Sequence, residues 1–386
     1  MLLTGAAGGL PKLGVYVHWP YCARICPYCD FNVYKRREID VARWSGALRR
    51  DLAAWARRID RRPLTSLYFG GGTPSLMPLG VLADVINACA ELWGFSDAAE
   101  ITLEANPTDA ELSRFDDFRR AGVNRLSLGV QSFDDDALRF LKRNHDGAQA
   151  RRAVDLALAR FPSVTFDLIY ALPEQSPKDW RIALRSALGH GASHLSLYQL
   201  TIENGTAFER AVGRGLFKPL TDDSAADLFD VAQEETARAG LPAYEISNHA
   251  APGAESRHNL LYWSGGDYVG VGPGAHGRLT GGGARLATTA EFEPEKYLAG
   301  VEESVSGAAT IEVLDAESRL VEKLSMGMRL VSGVAIDEAD IAALGARVDR
   351  LEKLSADGLV VFREGRLLAT GNGRKVLNAV LAALLC

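Results

Sequence analysis

The stretch "GVYVHWPYCARICPYCDFN" (residues 14–32) holds three of the five cysteines of the chain. The apolar run "GVYVHW" (14–19) predicts a β-strand, so that Cys22, Cys26 and Cys29 fall in the loop that follows it. Clustered thiols favour metal or redox chemistry over disulfides in a reducing compartment. This cysteine loop is therefore the first candidate functional site.

The composition of the whole chain narrows the class of protein. With 386 residues, 47% of them hydrophobic and 24% charged, the chain has the makeup of a globular protein with one large and one small domain. Its net charge of -6 gives no reason to expect a nucleic-acid partner. No apolar run reaches the roughly 18 residues of a membrane span, and the start lacks the regions of a signal peptide. We therefore expect a cytoplasmic protein without an integral membrane segment.

Short strand-like runs alternate with helical patterns through residues 14–247. The later helical patterns cover 148–161, 177–189 and 222–239, and the last strand is expected in "AYEISNHA" (243–250). Strands separated by helices of this length imply parallel β/α units. About six such repeats are visible, fewer than the eight of a closed barrel. The sequence therefore predicts an α/β fold, a partial (β/α)6 barrel, with functional groups at the carboxyl ends of its strands.

Four segments are expected along the chain. Their bounds are a flexible N-terminal tail over 1–12, the partial barrel over 13–250, a glycine-rich irregular extension over 251–309 and a small C-terminal helical, winged-helix-like domain over 310–386. The last segment combines helical patterns with a hairpin signal in "LVVFREGRLLAT" (359–370). Because it has no strong basic stripe, we expect a structural or partner-docking role for it.

The spacing of the three thiols bears on which metal they bind. A structural zinc normally takes four ligands, and the remaining Cys89 and Cys386 are poorly placed to complete such a set. A redox pair of Cys26 and Cys29 is a second alternative, although Cys22 then has no function. Thiolates are also the ligands of iron–sulfur clusters. Three of them on a [4Fe–4S] cluster leave one iron open to a small molecule.

The spacing C-x3-C-x2-C, with Tyr28 before the last cysteine, resembles the motif of the radical S-adenosylmethionine (SAM) superfamily. The resemblance implies a [4Fe–4S] cluster on Cys22, Cys26 and Cys29 whose open iron chelates SAM. It also implies that an electron from a flavodoxin- or ferredoxin-type donor splits SAM into methionine and a 5′-deoxyadenosyl radical.

Five motifs over roughly residues 13–330 narrow the resemblance to one branch of this superfamily. "YVHWPYC", "FGGGTPS", "EANP", "GVQSF" and "DLIYALP" occur in this order in the family of oxygen-independent coproporphyrinogen III oxidase (HemN) and the heme chaperones (HemW). The residues at SAM-contacting positions of that family are Tyr16, Tyr28, Gly71, Gly72, Thr73, Glu104, Gln131, Arg143 and Asp167. The glycines would allow close backbone approach to a ligand. The alternative for Arg143 and Asp167 is a structural ion pair.

Two features separate the branches of this family. Phe31 stands where the oxidase has a further cysteine, and "RHNLLYW" (257–263) is similar to the H-N-x-x-Y-W motif of HemW. His258 and Tyr262 can bind ferric iron, and they share one face if the segment is helical. The resemblance thus implies a heme chaperone that delivers heme to client hemoproteins. The alternatives are the oxidase and, less favoured, a partner-docking protein with a structural cluster.

Other histidines are further candidates for a heme ligand, namely His18, His194, His249 and His276. The run "GVGPGAHG" (270–277) superficially matches a dinucleotide-binding fingerprint. No clear helix follows it, which argues against that function.

Overall fold

The computed structural model describes residues 10–36 and 38–385. Most of the expected N-terminal tail over 1–12 lies outside these residues. The first described element is a strand that begins at Leu13, one residue before the run predicted as a strand. No helix in the described part of the chain is both long and apolar enough to cross a lipid bilayer.

Strands and helices alternate through the first two thirds of the chain. They are β1 (Leu13–Trp19), α1 (Val41–Ala56), β2 (Leu64–Gly71), α2 (Leu79–Leu92), β3 (Phe95–Ala105), α3 (Asp109–Leu112), α4 (Phe115–Arg120), β4 (Arg125–Gln131), α5 (Asp135–Phe140), α6 (Gly147–Arg160), β5 (Ser163–Tyr170), α7 (Pro177–Leu188), β6 (His194–Gln199), α8 (Ala207–Gly213) and α9 (Asp222–Arg238). Neighbouring strands from β1 to β6 pair in parallel. The predicted α/β fold of parallel β/α units is confirmed.

Local sequence explains where these elements begin and which faces they bury. At the start of α6, Asp146 and Gln149 form a capping box that satisfies the first free N–H groups of the helix. In β1, Val15 and Val17 are fully buried in the main hydrophobic cluster, whereas Tyr16 between them points to the opposite face. One face of β1 therefore packs in the main hydrophobic cluster, and the opposite face lines the interior of the barrel.

The chain then adds further elements to the same sheet. They are β7 (Asn248–Ala250), α10 (Arg257–Trp263), β8 (Asp267–Val271), β9 (His276–Gly281), β10 (Ala284–Ala290), α11 (Pro294–Ser304) and β11 (Ala308–Leu314). The strands of the described residues form one row in the order β11-β10-β9-β8-β1-β2-β3-β4-β5-β6-β7. The strand predicted at 243–250 is shorter than expected, and it runs antiparallel to β6.

The expectation of an irregular extension over 251–309 is wrong. β8 pairs in parallel with β1, and β9 to β11 continue the sheet as antiparallel strands. Its glycines serve close strand packing as well as turns. A Cβ on Gly270 would lie 2.0 Å from the carbonyl oxygen of His276, and one on Gly277 would lie 3.0 Å from the amide nitrogen of Gly270. Glycine content alone therefore does not indicate irregular structure here.

The C-terminal residues have a hydrophobic cluster of their own. Their elements are α12 (Ala316–Gly327), β12 (Val334–Ala335), α13 (Glu338–Leu344), α14 (Val348–Ala356), β13 (Val360–Arg363), β14 (Arg366–Ala369), α15 (Gly371–Lys375) and α16 (Leu377–Leu385). Leu324 and Leu384 are fully buried in this cluster. Glu364 and Gly365, both with positive φ, form the hairpin turn expected there. Residues 310–314 belong to β11 of the large sheet, so we propose that a separate C-terminal domain begins after them.

Candidate functional site

A cavity of about 390 Å³ opens at the carboxyl ends of the parallel strands. Since parallel strands bring their carboxyl ends to one edge, motifs far apart in sequence meet there. The predicted residues that line this cavity are Cys22, Cys26, Tyr28, Cys29, Gly71, Gly72, Thr73, Glu104, Gln131, Arg143 and Asp167. We call it the cysteine cavity.

The cysteine loop is a closed turn between β1 and α1. The amide of Cys22 donates to the carbonyl oxygen of Tyr34 at 2.9 Å, and the amide of Tyr34 donates to that of Pro20 at 2.7 Å. The hydroxyl of Thr73 donates to Sγ of Cys22 at 3.5 Å, and Nη1 of Arg143 donates to Sγ of Cys26 at 3.2 Å. Two sulfur atoms thus already accept hydrogen bonds from groups on other loops.

These residues fit an iron–sulfur cluster. Burial raises the pKa of the Cys22 thiol and raises that of Cys29 to about 11, so the thiolates need a compensating positive charge that iron ions supply. Within the described residues no three acidic, histidine or cysteine side chains converge on a single metal ion. A cubane does not require that arrangement, because each thiolate binds a different iron.

Arg143 does not form the ion pair with Asp167 that was considered as an alternative. Its Nη2 donates to Oδ1 of Asn106 and, at 2.9 Å, to the carbonyl oxygen of Gly129. Its Nη1 contacts Cys26 and lies 3.4 Å from the hydroxyl of Tyr28. Its Nε is buried without a hydrogen-bond partner in the described part of the chain. A buried cationic donor of this kind suits an anionic group of a ligand.

Two carboxyl groups are buried in the wall of the cysteine cavity. Burial raises the pKa of Glu104 to about 7, although the hydroxyl of Tyr68, which donates to it at 2.8 Å, opposes the shift. Burial also raises the pKa of Asp167 to about 7, against the lowering effects of the Ser196 hydroxyl and the Arg143 charge. Each group can accept hydrogen bonds from hydroxyl or amino groups of a ligand.

The glycines of "FGGGTPS" also make close contacts within the protein itself. A Cβ on Gly71, whose φ is +108°, would lie 2.6 Å from the ring of His18. One on Gly72 would lie 2.8 Å from the carbonyl oxygen of Tyr21. Close contact with β1 and the cysteine loop therefore already requires glycine at both positions.

Tyr16 is the one predicted SAM-contacting residue that does not line the cysteine cavity. Its hydroxyl lies 3.0 Å from Nδ1 of His18, and its ring stacks on that of Tyr68. Tyr68 in turn donates to Glu104. Tyr16 thus lies in the barrel interior, one layer behind the wall of the cavity.

The motif "RHNLLYW" forms the helix α10. His258 and Tyr262 can share one face only if this segment is helical. The helix lies at the opposite, amino ends of the strands. His258 is buried there, with Nδ1 2.9 Å from the hydroxyl of Ser66 and its ring stacked on Tyr68. Burial lowers the pKa of His258 to about 3, so its ring is neutral.

Tyr262 lines a second cavity, of about 410 Å³. We call it the α10 cavity, because Tyr262 and Trp263 of α10 form one wall. Aliphatic and thioether groups of the C-terminal residues, including Met326 and Leu330, face it together with several basic side chains. The two candidate heme residues therefore differ in position, since only Tyr262 faces the cavity.

The other candidate histidines are dispersed. His194 is buried between the hydroxyls of Thr165 and Tyr244, and His249 is buried beside Gln233. His18 lies under the cysteine loop, and His276 is exposed at the start of β9. None of these four lines the α10 cavity.

Sequence reasoning missed two residues that hold the cysteine cavity together. Asn106 donates to the Thr73 hydroxyl at 3.3 Å and accepts from Arg143. Glu111 in α3 accepts from the Ser75 hydroxyl and, at 2.6 Å, from the amide of Asn106. Asn106 belongs to the quoted motif "EANP", so the signal was present, whereas the sequence marks Glu111 only as part of a helix start at 108–111.

Comparisons with known proteins agree with this geometry. The model of the Radical SAM superfamily matches residues 16–187. The mitochondrial radical S-adenosyl methionine domain-containing protein 1 of Mus musculus is 38% identical over 97% of this chain and 87% of its own. The heme chaperone HemW of Mycobacterium tuberculosis is 37% identical over 96% of this chain and 94% of its own. The structure of coproporphyrinogen III oxidase (HemN) from Escherichia coli, at 22% identity, has a TM-score of 0.81 over 97% of this chain and 90% of that one, which shows a shared fold.

The parallel barrel and its three-cysteine loop define a radical SAM protein. The superfamily implies a [4Fe–4S] cluster and SAM as cofactors. Given the identity to HemW relatives over nearly its full length, the chain belongs to the HemW family within that superfamily. The resemblance inferred from the five motifs is confirmed.

Proposed function

We propose that this protein is a HemW-type heme chaperone, which binds heme and transfers it to client hemoproteins. The observation that carries the proposal is the α10 cavity, formed beside the "HNLLYW" helix and away from the cysteine cavity. Two separate cavities allow one chain to hold heme and SAM at the same time. A reducing cytoplasm, which keeps the cluster thiols reduced, is the proposed location.

The lining of the α10 cavity suits heme, which has an apolar plane and two propionate groups. Tyr262, Trp263 and Met326 offer aromatic and thioether surface for the plane. Arg319 and Arg366 also line the cavity, and neither is paired with a carboxylate among the described residues. These guanidinium groups are suitable partners for propionates. Tyr262 is the proposed contact to the heme, and His258 supports it from behind.

In the cysteine cavity, Cys22, Cys26 and Cys29 would hold the cluster, which supplies one-electron chemistry on SAM when both are bound. Arg143, Glu104 and the turn at Thr73 would orient SAM through hydrogen bonds. A flavodoxin- or ferredoxin-type protein is the proposed electron donor. Formation of 5′-deoxyadenosine by the reduced protein, measured anaerobically, tests whether SAM is cleaved.

Heme titration of the purified protein, followed by visible absorbance, tests the chaperone proposal. Tyr262→Phe should weaken heme affinity about tenfold and change the spectrum, because it removes the hydroxyl of the tyrosine of α10 that lines the cavity. His190→Ala, which changes a histidine bonded to Asp155 outside the cavity, serves as the control. A wild-type titration indistinguishable from that of a nonspecific protein would refute heme binding.

The oxidase alternative is decided by a separate assay. Phe31, where the oxidase family has a further cysteine, is 63% exposed at the mouth of the cysteine cavity. Incubation with coproporphyrinogen III, SAM and a reductant should give no protoporphyrinogen IX. Product formation that depends on Cys26 would overturn the ranking of the two functions.

A further inference from the structure

The segment that leaves the cysteine loop makes contacts that the proposed function does not explain. We call residues 30–34 the return segment, because they lead from Cys29 back toward β1. They lie against residues 272–275, a turn between β8 and β9 that we call the glycine turn. This turn is part of the run that superficially matches a dinucleotide fingerprint. The proposed function gives the glycine turn no role.

Asn32 joins the return segment to the glycine turn. Its Nδ2 donates to the carbonyl oxygen of Pro273 at 3.0 Å and to that of Phe292 at 2.8 Å. An asparagine amide has two N–H donors, and both are used here. The backbone oxygen of Asn32 also lies 2.9 Å from Nε2 of His18. One residue thus connects three segments that are far apart in sequence.

The shape of the glycine turn matches this contact. Gly274 has a φ of +77°, and a Cβ on it would lie 2.7 Å from Nδ2 of Asn32. Gly272 has a φ of +96°, and a Cβ on it would lie 2.2 Å from the carbonyl oxygen of His18. Glycine is required at both positions, by conformation and by space. The turn is therefore built to receive Asn32 and the end of β1.

The connection ends three residues after the last cysteine of the loop. Asp30 and Phe31, which separate Cys29 from Asn32, are both exposed to solvent. Cys29 itself bonds through its amide to the carbonyl oxygen of Cys26 at 3.2 Å, a contact within the loop. The position of Cys29 therefore depends on the contacts that fix the return segment.

We propose that Asn32 is a positioning residue for the iron–sulfur cluster. By fixing the return segment on the glycine turn, it holds Cys29 in register with Cys22 and Cys26, so that all three thiolates reach one cubane. The glycine turn is the rigid counterpart of this contact. The proposal rests on the cluster site alone and is independent of heme binding.

The test compares Asn32→Ala with Asn124→Ala after anaerobic reconstitution with iron and sulfide. The Asn124 side chain also makes two hydrogen bonds, to Ile101 and Ala99, but it lies between β3 and β4 outside the cysteine cavity. We expect Asn32→Ala to release iron to a chelator about tenfold faster than wild type, since it loses two hydrogen bonds. The electron paramagnetic resonance spectrum of its reduced cluster should also change. Asn124→Ala should lower only the melting temperature.

Two further variants keep the test decisive if Asn32→Ala folds poorly. Asn32→Asp keeps the size of the side chain but removes both donors, and it should release iron at least as fast as Asn32→Ala. Gly274→Ala should produce the same spectral change from the other side of the contact. Its effect should be smaller when Asn32→Ala is also present, because the colliding amide is gone. Wild-type iron release and spectra in Asn32→Asp and Gly274→Ala would overturn the proposal.

Discussion

The two ends of the parallel strands differ in whether their buried polar groups line a cavity. At the carboxyl ends, Cys22, Arg143 and Glu104 face a cavity, and a nitrogen of Arg143 lacks a partner among the described residues. At the amino ends, Glu100 and Arg125 form a buried ion pair at 3.3 Å. Nη2 of Arg125 also lacks a hydrogen-bond partner among the described residues, so the difference is that the carboxyl-end groups line a cavity, whereas Glu100 and Arg125 line neither the cysteine cavity nor the α10 cavity.

The buried ion pair at the amino ends also holds α10 in place. The hydroxyl of Ser256 and the amide of His258 each donate to Glu100 at 3.2 Å. Arg125 donates to the carbonyl oxygen of Ala254 at 3.3 Å. His258 is therefore a poorer candidate heme ligand than Tyr262, because the groups around His258 bond it to the rest of the protein.

The largest expected effect is the loss of the cluster at the carboxyl ends of the strands, with heme binding unchanged. Cys26→Ser should abolish cluster assembly, because two thiolates cannot replace the three-ligand set. Iron and sulfide counts after anaerobic reconstitution measure this, with Cys89→Ala, which changes a buried cysteine in α2, as the control. Heme binding at the α10 cavity should persist in Cys26→Ser. Full iron content in Cys26→Ser would contradict the proposed cluster ligands.

The next largest effect is a loss of stability from a change at the amino ends of the strands. Arg125→Met should destabilise the fold by about 3–5 kcal/mol, because it leaves the carboxylate of Glu100 buried and without a cation. Denaturant-induced unfolding of the apoprotein measures the loss. Adding Glu100→Gln should recover part of it, since the unpaired charge is then removed. An Arg125→Met protein as stable as wild type would show that this pair does not support α10.

The smallest effect concerns Asp51, a buried carboxyl group that has hydrogen bonds but, unlike Glu100, no ion pair among the described residues. Burial raises the pKa of Asp51 to about 6, although it accepts from Gly307 and from the hydroxyl of Tyr297 at 2.8 Å. The folded state then binds a proton more tightly than the unfolded one. The free energy of unfolding should therefore fall by about 2–3 kcal/mol through this group as pH rises from 4 to above 6.

Asp51→Asn removes the group that titrates and provides the comparison for this pH dependence. The free energy of unfolding of wild type minus that of Asp51→Asn should fall as the pH rises from 4 to 7. A difference that is constant over this range would show that Asp51 is ionised in the folded protein throughout.

Much of the carboxyl-end site could be predicted because parallel strands bring their ends together. Once β1 to β5 were assigned, Thr73, Glu104, Gln131 and Asp167 had to lie near the cysteine loop. Tyr16 was placed with them although it points one layer deeper into the barrel. The alternative of an ion pair between Arg143 and Asp167 is not formed, because a side chain of that length reaches several loops and spacing does not choose among them.

By itself, the sequence determined the alternation of the parallel strands β1 to β6 with helices, the cysteine loop and the family, since these depend on periodicity and on motifs that are local in the chain. Only the tertiary structure decided the rest. It showed that glycines at 270–277 serve strand packing and a turn against Asn32, and that α10 closes the amino ends of the strands. Such contacts join residues more than two hundred positions apart, as between Asn32 and Pro273. Local pattern contains no information on those distances, because they are set by how the completed sheet and helices pack.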